Sequence, residues 1–167
     1  MLDSLPDAAR LWLVPLDRTL DDAEADALRQ SVAGWLPSWQ SHGRPVRAEA
    51  AVLSGRVLAV GAVISEADLN AGVSGCGIDA MEHAVAAALE AHGVARAPAL
   101  SVLFRDAAGD WQALPRPAFR RLVRSGDAGP ETVLLDVTAT TVGEARDRGI
   151  ERPARETWAA RAFALAA

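Results

Sequence analysis

The residue whose side chain is most suited to chemistry is Cys76, the one cysteine of the sequence, which lies between Gly75 and Gly77. The hydrophobic pattern predicts a helix over residues 78–92 and places the cysteine at its start. The first N–H groups of a helix lack partners and the helix dipole is positive there, which stabilises a thiolate. This position favours a nucleophile, a redox thiol or part of an anion-binding turn, although a redox role would lack a second, resolving cysteine.

The residues around the cysteine are rich in glycine, with a serine before them. Glycine lets the backbone approach a ligand closely, and a glycine-rich turn that leads into a helix suits phosphate or carboxylate. We therefore predict that Ser74, Gly75 and Gly77 contribute to a site for a small anion. The spacing matches neither the P-loop nor the dinucleotide fingerprint. A tight connection that needs glycine for steric reasons explains the same pattern.

Two further residues complete the predicted catalytic set, His42 and Asp79. His42 lies in a predicted loop, where functional residues concentrate, and is the candidate base for Cys76. Asp79 follows Cys76 by three positions and shares a helix face with it and with His83, which lies too far along the helix to touch the thiol. The structural alternatives are a dipole-stabilising Asp79, a loop histidine and a buried Cys76; burial is the preferred alternative, because free cysteine is among the most buried residue types.

The composition excludes several classes of chemistry. All 17 basic residues are arginine and the chain has no lysine or tyrosine, so a Schiff-base lysine, a P-loop lysine and a catalytic phenol are excluded. One cysteine and three scattered histidines lack the spacing of a zinc site, and we predict no metal or other cofactor. The net charge of −5 argues against a nucleic-acid partner.

The expected location is the cytoplasm. The first residues lack the basic segment and apolar core of a signal peptide, and no apolar run is long enough to span a bilayer, so no membrane insertion is predicted. The partner that we expect is a small anion or another protein, and a homo-oligomer remains open.

The elements that must position these residues follow from the hydrophobic pattern. Strands are predicted over residues 10–16, 46–53, 56–64, 99–105, 111–114 and 132–138, and helices from residue 22 and over residues 78–92, 117–123, 142–148 and 156–166. The chain shows no linker or repeat, which indicates a single domain over residues 1–167. We predict an α+β fold with a mostly antiparallel sheet, helices on one face and a ferredoxin-like βαββαβ beginning.

Three segments of the chain resemble a small bacterial family without an assigned function. The segments are Trp39-Gln40-Ser41-His42-Gly43, then Ser74-Gly75-Cys76-Gly77-Ile78-Asp79 preceded by Asp68 and Asn70, and last Glu156-Thr157-Trp158 with Arg161 and Phe163. Family members share Trp-x-x-His-Gly, Ser-Gly-Cys-Ser-Ile-Asp and Ser-Trp-His-x-Arg-Phe. In this chain Gly77 replaces a serine and Ala159 replaces the histidine of the last motif.

The resemblance implies that His42, Cys76 and Asp79 are the positions of a site, and His83 lies outside the pattern. Some members of the family carry the label ABC transporter ATPase. This chain contradicts that label, because it has no Gly-x-x-x-x-Gly-Lys-Ser/Thr segment and no lysine.

The sequence leaves two functions open. The first is a small-molecule or anion-binding domain with a site at the Ser74–Asp79 turn, and whether it is also a Cys-dependent enzyme stays open. The second is a non-enzymatic protein-interaction module, in which the motifs are structural and a tryptophan-lined face meets a partner. We predict that at least two of His42, Cys76 and Trp158 lie within contact distance. An open surface at Cys76 and His42 favours the first function, and burial of both favours the second.

Overall fold

The computed structural model describes residues 1–64 and 72–165, which form two compact units. Unit 1 comprises Met1–Arg96 and Ala139–Asp147, and unit 2 comprises Ala97–Thr138 and Arg148–Ala167. Both units combine helices with antiparallel strands, which confirms the α+β class. The single domain over residues 1–167 stays a prediction, because two compact units can belong to one domain or to two.

The helices and strands of the described residues occur in the following chain order. They are β1 (Arg10–Pro15), α1 (Asp22–Trp35), β2 (Gln40–Ser41), β3 (Arg44–Pro45), β4 (Arg47–Leu53), β5 (Val57–Val63), α2 (Gly75–Ala91), β6 (Ser101–Arg105), β7 (Trp111–Pro115), α3 (Arg116–Ser125), β8 (Val133–Leu135), α4 (Val142–Arg148), β9 (Glu151–Pro153) and α5 (Trp158–Phe163).

The main sheet of unit 1 has the strand order β1-β5-β4. Because β5 is antiparallel to both neighbours, β1 and β4 run parallel with β5 between them. β1, α1 and β4 therefore form the split βαβ unit of the predicted ferredoxin-like beginning. The sixth element departs from it, because the strand predicted over residues 99–105 is β6 of unit 2. Beside β1, a single bridge joins Arg10 to Thr141.

Every residue of β5 is buried, so the strand needs cover on both faces. Leu58 and Val60 pack into the core with α1 and α2, which share one face of the sheet. The N-terminal segment and α4 cover the other face: a Cβ atom added at Gly61 would lie 2.6 Å from Leu5 and 3.2 Å from Val142. The near-continuous apolar sequence of β5 is typical of a strand that is covered twice.

Unit 2 is built on the four-stranded antiparallel sheet β7-β6-β8-β9. Its core includes three phenylalanines in tilted, edge-to-face contact, with Phe119 lying 5.1 Å from Phe104 and 5.0 Å from Phe163 between ring centroids. These rings join β6, α3 and α5. Strand β9, which pairs with β8 over three residues, was not predicted from the sequence.

Candidate functional site

The N-terminus of α2 is fixed by the short β2–β3 hairpin. Ser41, which is only 1% exposed, donates a hydrogen bond from its hydroxyl group to Ser74 Oγ at 3.0 Å. The same Ser41 oxygen accepts a hydrogen bond from the backbone amide of Ser74 at 2.9 Å. This reciprocal pair fixes the position of the residue that precedes the helix.

Ser74 is the N-cap of α2. Its Oγ accepts from the amide of Gly77 at 3.2 Å, and its carbonyl oxygen accepts from the amide of Ile78 at 2.9 Å. The helix therefore begins at Gly75, three residues before the predicted start, and Cys76 is its second residue. Glycine has a low helix propensity, which is why the pattern predicted a later start, but a serine cap compensates for it.

A hydrogen bond from Trp39 holds this turn in place. Its indole Nε1 donates a buried hydrogen bond of 2.8 Å to the carbonyl oxygen of Gly77, and the side chain is 1% exposed. Its ring lies 5.5 Å from Trp35 and 5.9 Å from Trp12, so it belongs to the core. These contacts support packing as the role of Trp39 and give no support to a tryptophan-lined binding face.

The steric alternative accounts for Gly77 but not for Gly75. A Cβ atom at Gly77 would lie 2.9 Å from Val73 Cγ1 and 3.3 Å from Ser74 Oγ, so the close packing of the turn requires glycine. A Cβ atom at Gly75 would meet nothing within 4 Å. Since the amide of Gly77 already binds Ser74, Gly77 and Ser74 position the turn, whereas the amide of Gly75 binds no acceptor among the described residues.

The segment around His42, predicted as a loop, is the tight turn of the hairpin. His42 and Gly43 have φ angles of 50° and 72°, the two positive values of a type I′ turn between β2 and β3. His42 thus lies in a connection as predicted, but the strands on either side of it were not predicted, because strands of two residues leave no detectable alternation. The His-Gly pair therefore has a structural reason, while the His42 side chain is exposed.

Cys76 is exposed, which corrects the preference for a buried, structural cysteine. Asp79, one turn further along α2, is exposed as well. Among the residues that the structure describes, no acceptor binds the backbone amides of Gly75 and Cys76. The start of α2 thus presents a thiol and two N–H donors to solvent at the positive end of a 17-residue helix.

The Ser41–Ser74 hydrogen bonds bring the neighbourhoods of two predicted site residues together. His42 follows Ser41 directly, and Cys76 lies two residues after Ser74. Trp158 belongs to α5 of unit 2, where its ring lies 5.8 Å from Phe163. Contact between any two of the three residues stays a prediction. Asp68 and Asn70 of the resembling segment lie outside the described residues.

Ser41 was not predicted as a site residue, although its spacing from Trp39 could have indicated a role. Trp39 has the extended backbone of a strand and stands two positions before Ser41. Side chains two apart on an extended segment point to the same side. A serine on the same side as a buried tryptophan needs a hydrogen-bond partner, and Ser74 supplies it.

Comparisons of the chain with family models, with curated proteins and with solved structures give no match. The resemblance to the small bacterial family therefore stays a prediction. Within residues 1–64 and 72–165, no three His, Cys, Asp or Glu side chains are grouped as a metal site would require. Over the same residues, no helix has both the length and the apolar character needed to cross a bilayer.

Proposed function

We propose that the protein is a small-anion-binding domain whose site is the Ser74–Asp79 turn, with the Cys76 thiol beside the bound anion. The observation that carries the proposal is the exposed thiol next to the amides of Gly75 and Cys76, which bind no acceptor in residues 1–64 and 72–165. Packing does not explain the residues at these two positions, because Cys76 is exposed and a Cβ atom at Gly75 would meet nothing within 4 Å. This further supports a role in binding.

The expected strength of this site limits what it does. A helix N-terminus at an exposed position stabilises an anion by about 0.3–1 kcal/mol, and the two amide donors add charge-assisted hydrogen bonds. Asp79 lies one turn away and opposes a second negative charge. The turn therefore suits one small anion, such as a carboxylate or sulfate, bound weakly. A Cys-dependent reaction there would need a base, and exposed His42 is the candidate.

The test measures alkylation of Cys76 by iodoacetate, whose carboxylate is an anion and whose iodide is displaced by the thiolate. Iodoacetamide is the matched neutral reagent. We expect native Cys76 to react with both, and inorganic sulfate to slow the reaction saturably, whereas sodium chloride of the same ionic strength does not. Alkylation that starts only after denaturation would contradict the exposed thiol, and a lack of sulfate protection would contradict the anion site.

Gly75 offers a matched pair of variants that separates the amide from the rest of the turn. Proline removes the N–H group yet suits the first position of a helix, and Ser74, with φ −65° and ψ 162°, already has the backbone that precedes proline. Gly75→Ala keeps the N–H group. We expect Gly75→Pro to weaken sulfate protection about tenfold, because a hydrogen bond to a charged group contributes about 1.5–3 kcal/mol, while Gly75→Ala protects as the parent chain does. Equal protection in both variants would exclude the turn as the site.

A protein-interaction module in which the motifs are structural is the second candidate. It is favoured by the bonds that the motif residues make to one another, Trp39 to Gly77 and Ser41 to Ser74. In that case sulfate would leave the alkylation rate of Cys76 unchanged in every variant. Substitutions at Trp39 would then alter stability and partner capture together.

A further inference from the structure

A run of positive charge lies along α3 of unit 2. Helix α3 carries four arginines and no acidic residue, and Arg116, Arg120 and Arg124 recur every four positions along one helix face. Like charges at this spacing destabilise an isolated helix, and a cation at its first residue opposes the dipole. Helix stability alone therefore does not account for the arrangement.

Two of these arginines are held against α5. The guanidinium of Arg116 lies 4.6 Å from the ring centroid of Trp158, and that of Arg120 lies 5.6 Å from Phe163. Arg120 also donates a hydrogen bond of 3.1 Å to the carbonyl oxygen of Ala162. These contacts hold the guanidinium groups of Arg116 and Arg120 on aromatic surface without neutralising their charge.

A groove of about 290 Å³ lies between α3 and α5. Arg120 and Arg124 line it from α3 and Arg161 lines it from α5, while Val123 and Phe163 supply apolar surface. Three arginines thus border one small concave site. Arginine is planar and presents a fork of N–H donors that fits phosphate and carboxylate, which makes such a border suited to a dianion.

The carboxylates of unit 2 do not neutralise this border. Glu151 pairs with Arg105, Asp136 with Arg152 and Glu131 with Arg155, all outside the groove. In the part of the chain that the structure describes, no carboxylate lies within salt-bridge distance of Arg120, Arg124 or Arg161. Arg124 and Arg161 are therefore available to a ligand, while Arg120 adds positive charge beside them.

We propose that this groove binds a small phosphomonoester, with Arg124 and Arg161 on the phosphate and an aromatic or aliphatic part of the ligand against Val123 and Phe163. The volume lies near the lower limit of ligand sites, about 300 Å³, which suits a small molecule better than a polymer. The net charge of −5 also means that the rest of the chain repels a long nucleic acid.

The test is calorimetric titration of the full chain with phenyl phosphate, whose ring matches the apolar surface of the groove, and with inorganic phosphate. We expect phenyl phosphate to bind more tightly than phosphate, and phenol not to bind. Arg124→Gln and Arg161→Gln are each expected to weaken phenyl phosphate binding about tenfold, since each removes charge-assisted hydrogen bonds. Both side chains are exposed, so the fold tolerates these changes.

Arg44→Gln is the matched control, because Arg44 is exposed in unit 1 and has no ion pair among the described residues. It is expected to leave binding unchanged. An equal loss in all three variants would reduce the effect to net charge and overturn the proposal. So would binding only to single-stranded RNA or only to phosphatidic acid vesicles, with none to phenyl phosphate.

Discussion

Trp39→Phe is expected to lower the free energy of unfolding by about 2–5 kcal/mol, as for a cavity combined with an unsatisfied buried polar group. The smaller ring leaves space in the core, and the carbonyl oxygen of Gly77 loses the indole hydrogen bond. Urea denaturation followed by circular dichroism measures the loss. We expect the melting of α2 to be part of the same transition, because Trp39 fixes its first turn.

Trp35→Phe is the control for this prediction. Trp35 is half-buried, packs on Trp39 and makes no described hydrogen bond through its indole nitrogen. A change of this kind at a partly exposed ring is expected to cost less than about 1.5 kcal/mol. Equal losses for Trp35→Phe and Trp39→Phe would show that the hydrogen bond to Gly77 does not stabilise the turn.

Gly55→Ala is expected to destabilise the protein by about 3–5 kcal/mol, which is in the range of backbone clashes at special φ angles. Gly55 has φ +60° in the three-residue connection between β4 and β5, residues 54–56, and an added Cβ atom would lie 2.5 Å from the carbonyl oxygen of Leu20. The amide of Leu20 donates to the carbonyl oxygen of Gly55 at 2.8 Å. The backbone cannot move apart without losing that hydrogen bond.

Gly43 supplies a matched comparison in the two-residue turn between β2 and β3. It has φ +72°, but a Cβ atom there would meet nothing within 4 Å. Gly43→Ala therefore incurs only the cost of a left-handed backbone, about 1–2 kcal/mol. Thermal unfolding of both variants should show the larger loss for Gly55→Ala. An equal loss of stability in both variants would mean that the backbone moves away from the carbonyl oxygen of Leu20 without a loss of free energy.

Local pattern was sufficient for the elements whose ends carry strong signals. The β4–β5 hairpin was predicted because Ser54 and Gly55 separate two apolar runs, and both have the positive φ angles of a type I′ turn. The start of α1 was predicted at residue 22, with Thr19 or Asp21 as the cap, and Asp21 forms a capping box with Glu24. In each case neighbouring residues determine the conformation.

Pattern was insufficient where distant residues decide. The apolar residues of β6 predict a strand, but its choice of sheet depends on partners such as Leu134, which pairs with Phe104. The candidate site shows the same limit. The sequence pointed to Cys76, His42 and Asp79, but the exposure of the thiol follows from where Ser41 and Trp39 hold the turn, across more than thirty residues of chain.

The most direct test of the anion site is a titration of the ¹⁵N-labelled chain with sodium sulfate, followed by amide chemical shifts. The two donors proposed to bind the anion are the amides of Gly75 and Cys76, and the amide of Gly77 is an internal reference because it already binds Ser74. We expect the amides of Gly75 and Cys76 to show the largest shifts and to saturate with one dissociation constant. Sodium chloride of equal ionic strength is expected not to reproduce these shifts. Amides of Gly75 and Cys76 that do not move during the titration would contradict the proposed anion site.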